Sequence, residues 1–464
     1  MTAPGWIALN RFGLGATPSD TPPAEPRRWL LDQVDRFASV PPLSTATGDS
    51  VSMLAQFAAF GKARGEARKA GALDAFNADK SNSQFLRDAA TGQGTARFVS
   101  ALTSPTPFPE RLVHFWANHF AISTEKQEVR AIAGTYEFEA IRPHVTGTFT
   151  DMWMAAMRHP AMLVYLDQAQ SVGPNSAFAA AAGARGRERG LNENLAREAM
   201  ELHSMGVRSG YRQADVTELA RALTGWTVGG FGRGLPPRFL NGAVDTPGRF
   251  VFHDAMHEPG ARTVLGRTYA GGGEGQARAI LADLVHRPET ATHIATKLAT
   301  HFVSDTPPPA LVTRVAAAFQ RSSGDLPTTY RALIDSPEAF APATPKFKSP
   351  WDWSVSAMRA IGLSVADNRA VGMLNDLGQP LWRPGSPAGW ADGPGAWAAP
   401  DALLRRVEMA QRLVAFAAPT FDARALGPRL LGPLGPETAR TIAAADSPRQ
   451  GLALLLASPE FQRR

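Results

Sequence analysis

Apolar residues along this chain recur at intervals of three and four far more often than they alternate with polar ones, and that period is helical. The pattern predicts helices over residues 26–38, 51–72, 80–102, 108–121, 126–141, 148–158, 192–205, 213–225 and 276–286. It predicts more over 288–303, 309–321, 326–335, 350–361, 367–377, 400–416, 436–445 and 448–457. The punctuation agrees. Pro160, Pro288, Pro309 and Pro350 stand near predicted starts, where a fixed φ and a missing N–H cost little. Gly190, Gly206 and Gly225 stand near predicted ends. Alternation of strand length is scarce, and its best candidate is a short β-hairpin within 247–270. The fold class is therefore mostly α: a large multi-helix orthogonal assembly with long Gly/Pro-rich loops and at most that hairpin.

Three stretches lack periodicity: 168–190, 227–250 and 379–399. Irregular loops of this length are uncommon in compact domains unless they carry function. The last holds Trp382, Trp390 and Trp397 among prolines and glycines. Such tryptophans either pack the loop onto the body, the simpler reading, or wall a cleft in which a sugar ring stacks. Residues 330–340 and 452–461 both end a helix with Ser-Pro-Glu. The chain reads as one helical domain, 1–464, with repeated modules at 288–340 and 400–461. A shared stop signal, Ser before Pro, gives the same echo without duplication.

Composition narrows the chemistry. The 464 residues, 44% hydrophobic, suffice for a large core. The absence of cysteine removes disulfides, thiolate metal sites and a Cys nucleophile together. The net charge of +6 comes from 41 arginines and only 7 lysines, spread evenly. The densest group, Arg185, Arg187 and Arg189, is interrupted by Glu188, so no basic stripe points to nucleic acid. No apolar run reaches the roughly 18–20 residues of a membrane span. The first residues carry no charged n-region before a long apolar stretch, so the expected location is the cytoplasm, or outside it in company with a signal-bearing partner.

Three segments concentrate polar chemistry. In 191–206, Asn194, Glu198 and Glu201 fall at i, i+4 and i+7, one helical face that could aim two carboxylates into a pocket. The plainer reading is a surface ladder, Glu193–Arg197–Glu201. In 109–120, His114, Asn118 and His119 stand among aromatics, where a histidine is more often core than ligand. In 252–258, His253, Asp254, His257 and Glu258 offer imidazole and carboxylate within a few residues, a mixture that suits Zn, Mn, Fe or Ni. A polar turn is the alternative there. The glycines at 271–275 fail the dinucleotide spacing.

These segments also carry a resemblance. Phe-Trp-Ala-Asn-His-Phe at 115–120, Ile-Arg-Pro-His at 141–144 and His-Pro-Ala-Met-Leu-Val-Tyr-Leu-Asp at 159–167 are similar to a bacterial family catalogued as domain of unknown function 1800. So are Asn192–His203, Asp215–Trp226, His253-Asp254, Leu265-Gly266 and Gly378-Gln379-Pro380. The chain departs from that pattern at Ala199, Ser204 and Arg262, and in the turn after Asp254. The resemblance implies a mostly helical fold and a set of motif residues, without a reaction. It also implies an association with a second family, one resembling the sulfatase and alkaline-phosphatase group.

The leading expectation is an enzyme with a polar cleft between helices, hydrolytic or oxidative. Glu198, Glu201, His203 and Asn118 would be catalytic, and Arg197, Asn194 and Trp226 would hold substrate. His119, His253 and Asp254 would bind one divalent metal ion that activates water. The alternatives are a non-catalytic partner of a neighbouring sulfatase-like protein, and a carbohydrate-binding module built on the tryptophan loop.

Overall fold

A computed structural model describes residues 4–41, 47–184, 190–230, 248–341, 346–363, 368–417 and 421–464. The protein is 64% helical and 4% strand. Local chemistry explains the helix starts. Proline occupies the first turn of helices Pro107–His119, Pro288–Phe302, Pro350–Ala360, Pro400–Leu413 and Pro448–Ala457. Ser349 and Ser447 cap two of them by accepting from the N–H groups of Asp352 and Gln450.

The predicted helices are found within a few residues of their expected ends. Short ones were missed, among them Leu73–Ala78, Pro160–Tyr165 and Ala177–Gly183. Each spans about two turns or fewer, too little to display a period. Two long predictions are interrupted. Residues 126–141 become Gln127–Tyr136 and a π-turn, Glu137–Ile141. Residues 192–205 become Asn194–Glu198 and a π-turn, Ala199–His203. A π-turn inserts a residue into the helical repeat and rotates everything beyond it.

Two small antiparallel pairs complete the fold. β1 (Trp226–Val228) pairs with β2 (Phe250–Phe252), Trp226 opposite Phe252. β3 (Arg262–Val264) and β4 (Arg267–Tyr269) form the hairpin expected within 247–270. The β1–β2 pair was not foreseen, because β1 is three residues long and adjoins a Gly/Pro-rich stretch. Most of that stretch lies outside the described residues, as do Arg185, Arg187 and Arg189. No described helix is long and apolar enough to cross a membrane.

The buried apolar side chains fall into two large clusters. One runs from Ala8 to Phe340 and centres on Trp116, Phe149 and Phe302. The other gathers Phe98, Trp351, Trp353 and the helices from 350 onward, with Leu9 and Leu14 inserted from the start of the chain. The suggested modules divide between them, 288–340 in the first and 400–461 in the second. The second contains an additional helix, Ala423–Leu431. Both end alike because Ser336 and Ser458, each before a proline, are held extended at ψ 135° and 151°.

Candidate active site

Between the two clusters lies a cleft of about 340 Å³. Its walls are the Pro107–His119 helix, the Pro288–Phe302 helix, the first turn of Pro350–Ala360 and the tryptophan loop. Junctions of this kind are where ligand pockets preferentially form.

The Pro288–Phe302 helix presents His293, Lys297 and His301 at i, i+4 and i+8, a polar stripe beside the buried face of Ile294, Leu298 and Phe302. Lys297 and His301 line the cleft. His301 Nδ1 lies 3.1 Å from an Asp392 carboxylate oxygen, and Nε2 has no hydrogen-bond partner among the described residues. Burial holds the imidazole below its ordinary value, against the attraction of Asp392. The Asp392 carboxylate is held well below the usual range: burial pushes it up, but His301, Arg464 and Lys346 outweigh that. A neutral His301 therefore donates its Nδ1 proton to an ionised Asp392 and leaves Nε2 as a base, its tautomer set by the carboxylate.

Lys297 stands one turn before His301. No described residue gives its amine a hydrogen bond or ion pair. Burial pulls it down to about 8, with Asp392 acting in the opposite direction. The cleft's other charges are paired. Arg111 Nη1 meets Asp352 at 2.8 Å, and Arg464 Nε meets the other Asp352 oxygen at 3.1 Å. Arg97 meets Glu137 at 2.9 Å and lies 4.3 Å above the Trp351 ring. The Trp351 indole donates to His114 Nδ1 at 3.0 Å, which puts that histidine's proton on Nε2.

The tryptophan loop packs on the body and also forms part of the cleft wall. Trp397 is buried and stacks behind Trp390, ring centroids 5.8 Å apart. Trp382 and Trp390 line the cleft. Trp382 adopts φ 48°, the left-handed region that a bulky residue enters only when its surroundings hold it. Here Thr124 N–H donates to its carbonyl at 2.9 Å, and its indole donates to Glu137 at 2.9 Å.

Of the expected catalytic, substrate-binding and metal-binding residues, Asn118 and His119 reach this cleft, beside His114, Trp382 and Trp390, which the sequence also singled out. Asn118 spends both ends of its amide on the Trp390 backbone, so it positions the loop. His119 is buried among Trp116, Phe120 and Phe149, and its Nε2 lies 3.1 Å from the His203 carbonyl oxygen. The other expected residues lie off it. His203 is buried with neither ring nitrogen partnered. Arg197 forms the plain ladder, 3.2 Å to Glu193 and 3.4 Å to Glu201, with Gln213 as a further partner. It has no fork left for a substrate anion. Asn194 is exposed, and Trp226 is buried edge-on against Phe250. Glu198 is raised by burial first and by Glu201 second, as a base would require, yet it is not in the cleft wall. A π-turn at 199–203 stands between Glu198 and Glu201, and the two carboxylates remain close enough for Glu201 to raise Glu198.

The metal set does not assemble. His119 sits in the aromatic core, His253 is buried at the end of β2 and Asp254 is exposed. Among the described residues no group of three or more histidine, aspartate or glutamate side chains is placed to share a metal ion.

Sequence reasoning missed Lys297, His301, Asp352 and Asp392. One signal was available: a His-x3-Lys-x3-His stripe, in a chain with few lysines, on a helix whose other face is apolar.

Fold and site together define a helical protein with a tryptophan-walled cleft and a partly buried His–Asp pair. The chain belongs to the family described as "Protein of unknown function (DUF1800)", whose model matches residues 7–463. No curated protein and no solved structure matches the chain.

Proposed function

We propose that the protein is an enzyme whose cleft performs proton-transfer chemistry, with His301 as general base and Asp392 as its orienting carboxylate. The observation that carries this reading is the 3.1 Å contact between His301 Nδ1 and Asp392 beside an unpartnered Nε2. A neutral imidazole held in one tautomer is the commonest biological base. Lys297 supplies the unpaired positive charge or free amine that a polar substrate would meet. Trp351, Trp382 and Trp390 offer flat apolar surface for the rest of it. The divalent metal expected from the sequence has no three-donor group to rest on among the described residues. The reaction is therefore assigned to side chains.

The test is to incubate the protein with a metabolite extract and follow consumption by mass spectrometry. Compounds consumed by wild type should be spared by His301→Ala and by Asp392→Asn, each variant shown to be folded by its circular dichroism. Consumption that survives both substitutions would refute the assignment.

A second reading, a non-catalytic partner of a sulfatase-like protein, is favoured by one surface. The helices Asn368–Asp376 and Pro400–Leu413 flank an apolar groove of about 810 Å³ lined by Met358, Met373, Met409 and Phe416. Methionine-rich grooves accept helices readily. Direct mixing of the two purified proteins tests it: a complex on gel filtration, weakened by Met409→Asp, supports the reading, and no complex removes it.

A further inference from the structure

Lys297 is the one cation in the cleft wall with no partner among the described residues. Arg111 is committed to Asp352 and Arg97 to Glu137. The groups facing the Lys297 amine are Asp392 from the tryptophan loop, His119 from the Pro107–His119 helix and His203 from the π-turn at 199–203. His293 and His301 stand one turn away on its own helix. An unpaired amine in a cleft wall, one turn from an oriented imidazole, is the arrangement that amine catalysis needs. An anion would be better held by an arginine fork than by a single amine.

We propose that Lys297 is a nucleophile that forms an imine with an aldehyde or ketone substrate, with His301 moving the protons. This rests on the acid–base reading above and names its substrate class. The neutral Nζ lone pair attacks the carbonyl carbon, and the C=O π pair moves to oxygen, which gains a proton as the nitrogen gives one up, leaving a neutral carbinolamine. The nitrogen lone pair then expels that oxygen as water after a second protonation, leaving C=NH⁺ on Lys297. One amine, one carbonyl and one proton thus give one iminium and one water. The iminium draws electrons from the neighbouring carbon, whose proton we assign to His301, a residue of the same cleft wall one turn from Lys297. Trp382 and Trp390 favour carbonyl compounds bearing an apolar or aromatic group.

The experiment traps the imine. The full chain is mixed separately with pyruvate, acetone and benzaldehyde, reduced with borohydride, digested and mapped by mass spectrometry. The expected result is a secondary-amine adduct at Lys297, with benzaldehyde or pyruvate, in clear excess over the other lysines. Lys297→Met should lose it and keep the wild-type melting temperature, since no bond is removed. In His301→Ala, trapping at Lys297 should slow by about 10²-fold, and deuterium exchange of the pyruvate methyl protons, read by NMR, should stop.

Failure of all three carbonyls to label Lys297 above the other lysines overturns the imine. In that case the acid–base reading still stands or falls on the extract assay. Labelling at Lys297 that is equally fast in His301→Ala, with exchange unchanged, keeps the imine and removes His301 from its role.

Discussion

Asn118 holds the backbone of Trp390 as a neighbouring strand would: its Nδ2 donates to the Trp390 carbonyl at 2.9 Å, and its Oδ1 accepts from the Trp390 N–H at 2.7 Å. A single side chain thus fastens the tryptophan loop of the second core to the last turn of a helix in the first. The adjacent Gly389 sits at φ 79°, where an added Cβ would come within 2.4 Å of the Asn118 carbonyl oxygen.

Removing this fastening should loosen the cleft. Asn118→Ala deletes two hydrogen bonds, each worth about 1 kcal/mol, and should lower the urea midpoint accordingly. Gly389→Ala should do at least as much, through the clash and the positive φ. Both should shift the tryptophan emission to the red as Trp390 gains solvent. An unchanged spectrum in both would show that the loop is held by other contacts.

The Asp352 carboxylate is shared by two buried arginines, Arg111 and Arg464. Asp352→Asn leaves Arg111 without an ion-pair partner and Arg464 with only Asp392, 3.6 Å away. Breaking a buried pair in this way costs about 3–5 kcal/mol. A urea midpoint lowered by an equivalent amount is expected. A loss below ~1 kcal/mol would mean that the arginines find water instead.

Lys297 should react with amine-directed acylating reagents at lower pH than an ordinary lysine. Burial holds its amine at about 8, so the neutral, reactive form is half-populated there. Peptide-resolved acylation rates between pH 6 and 11 should show a midpoint near 8, against roughly 10.4 for a free lysine side chain. A midpoint at the free value would show the amine fully hydrated.

Acid should unfold the protein early. Burial, seconded by the charge of Lys297, holds His203 down to about 3 and His293 to about 4. Unfolded histidine titrates near 6.5. Between about 6.5 and 4 the unfolded chain therefore binds protons that the folded chain refuses. Stability from these groups is complete above 6.5 and is lost as the pH falls through that window. The thermal midpoint should drop steadily there, and His203→Phe should make the drop shallower. A midpoint constant down to pH 4 would refute the buried, neutral state of these rings.

The fold was largely legible in the sequence because helices of three or more turns write their period into the apolar positions. Pro288–Phe302 and Pro309–Arg321 were placed to within a residue at each end. Much less of the site could be read. Glu198 and Glu201 were assigned one face on straight-helix geometry, and the π-turn at 199–203 has no composition that announces it. His301 meets Asp392 across 91 residues of chain, and Asp352 meets Arg111 across 241. No local spacing encodes such meetings. Asn118 and the tryptophan loop were each noticed, and only the folded chain joins them.

The cleft belongs to neither apolar core alone, since Lys297 and His301 come from one and Trp351 and Asp392 from segments around the other. A ligand bound there touches both halves and so acts as a rivet. By mass action it stabilises only the state in which both are docked. Where the empty protein melts in two separable steps, the occupied one should melt in a single sharper step. Calorimetry can therefore reveal a true ligand through cooperativity, before any reaction has been identified.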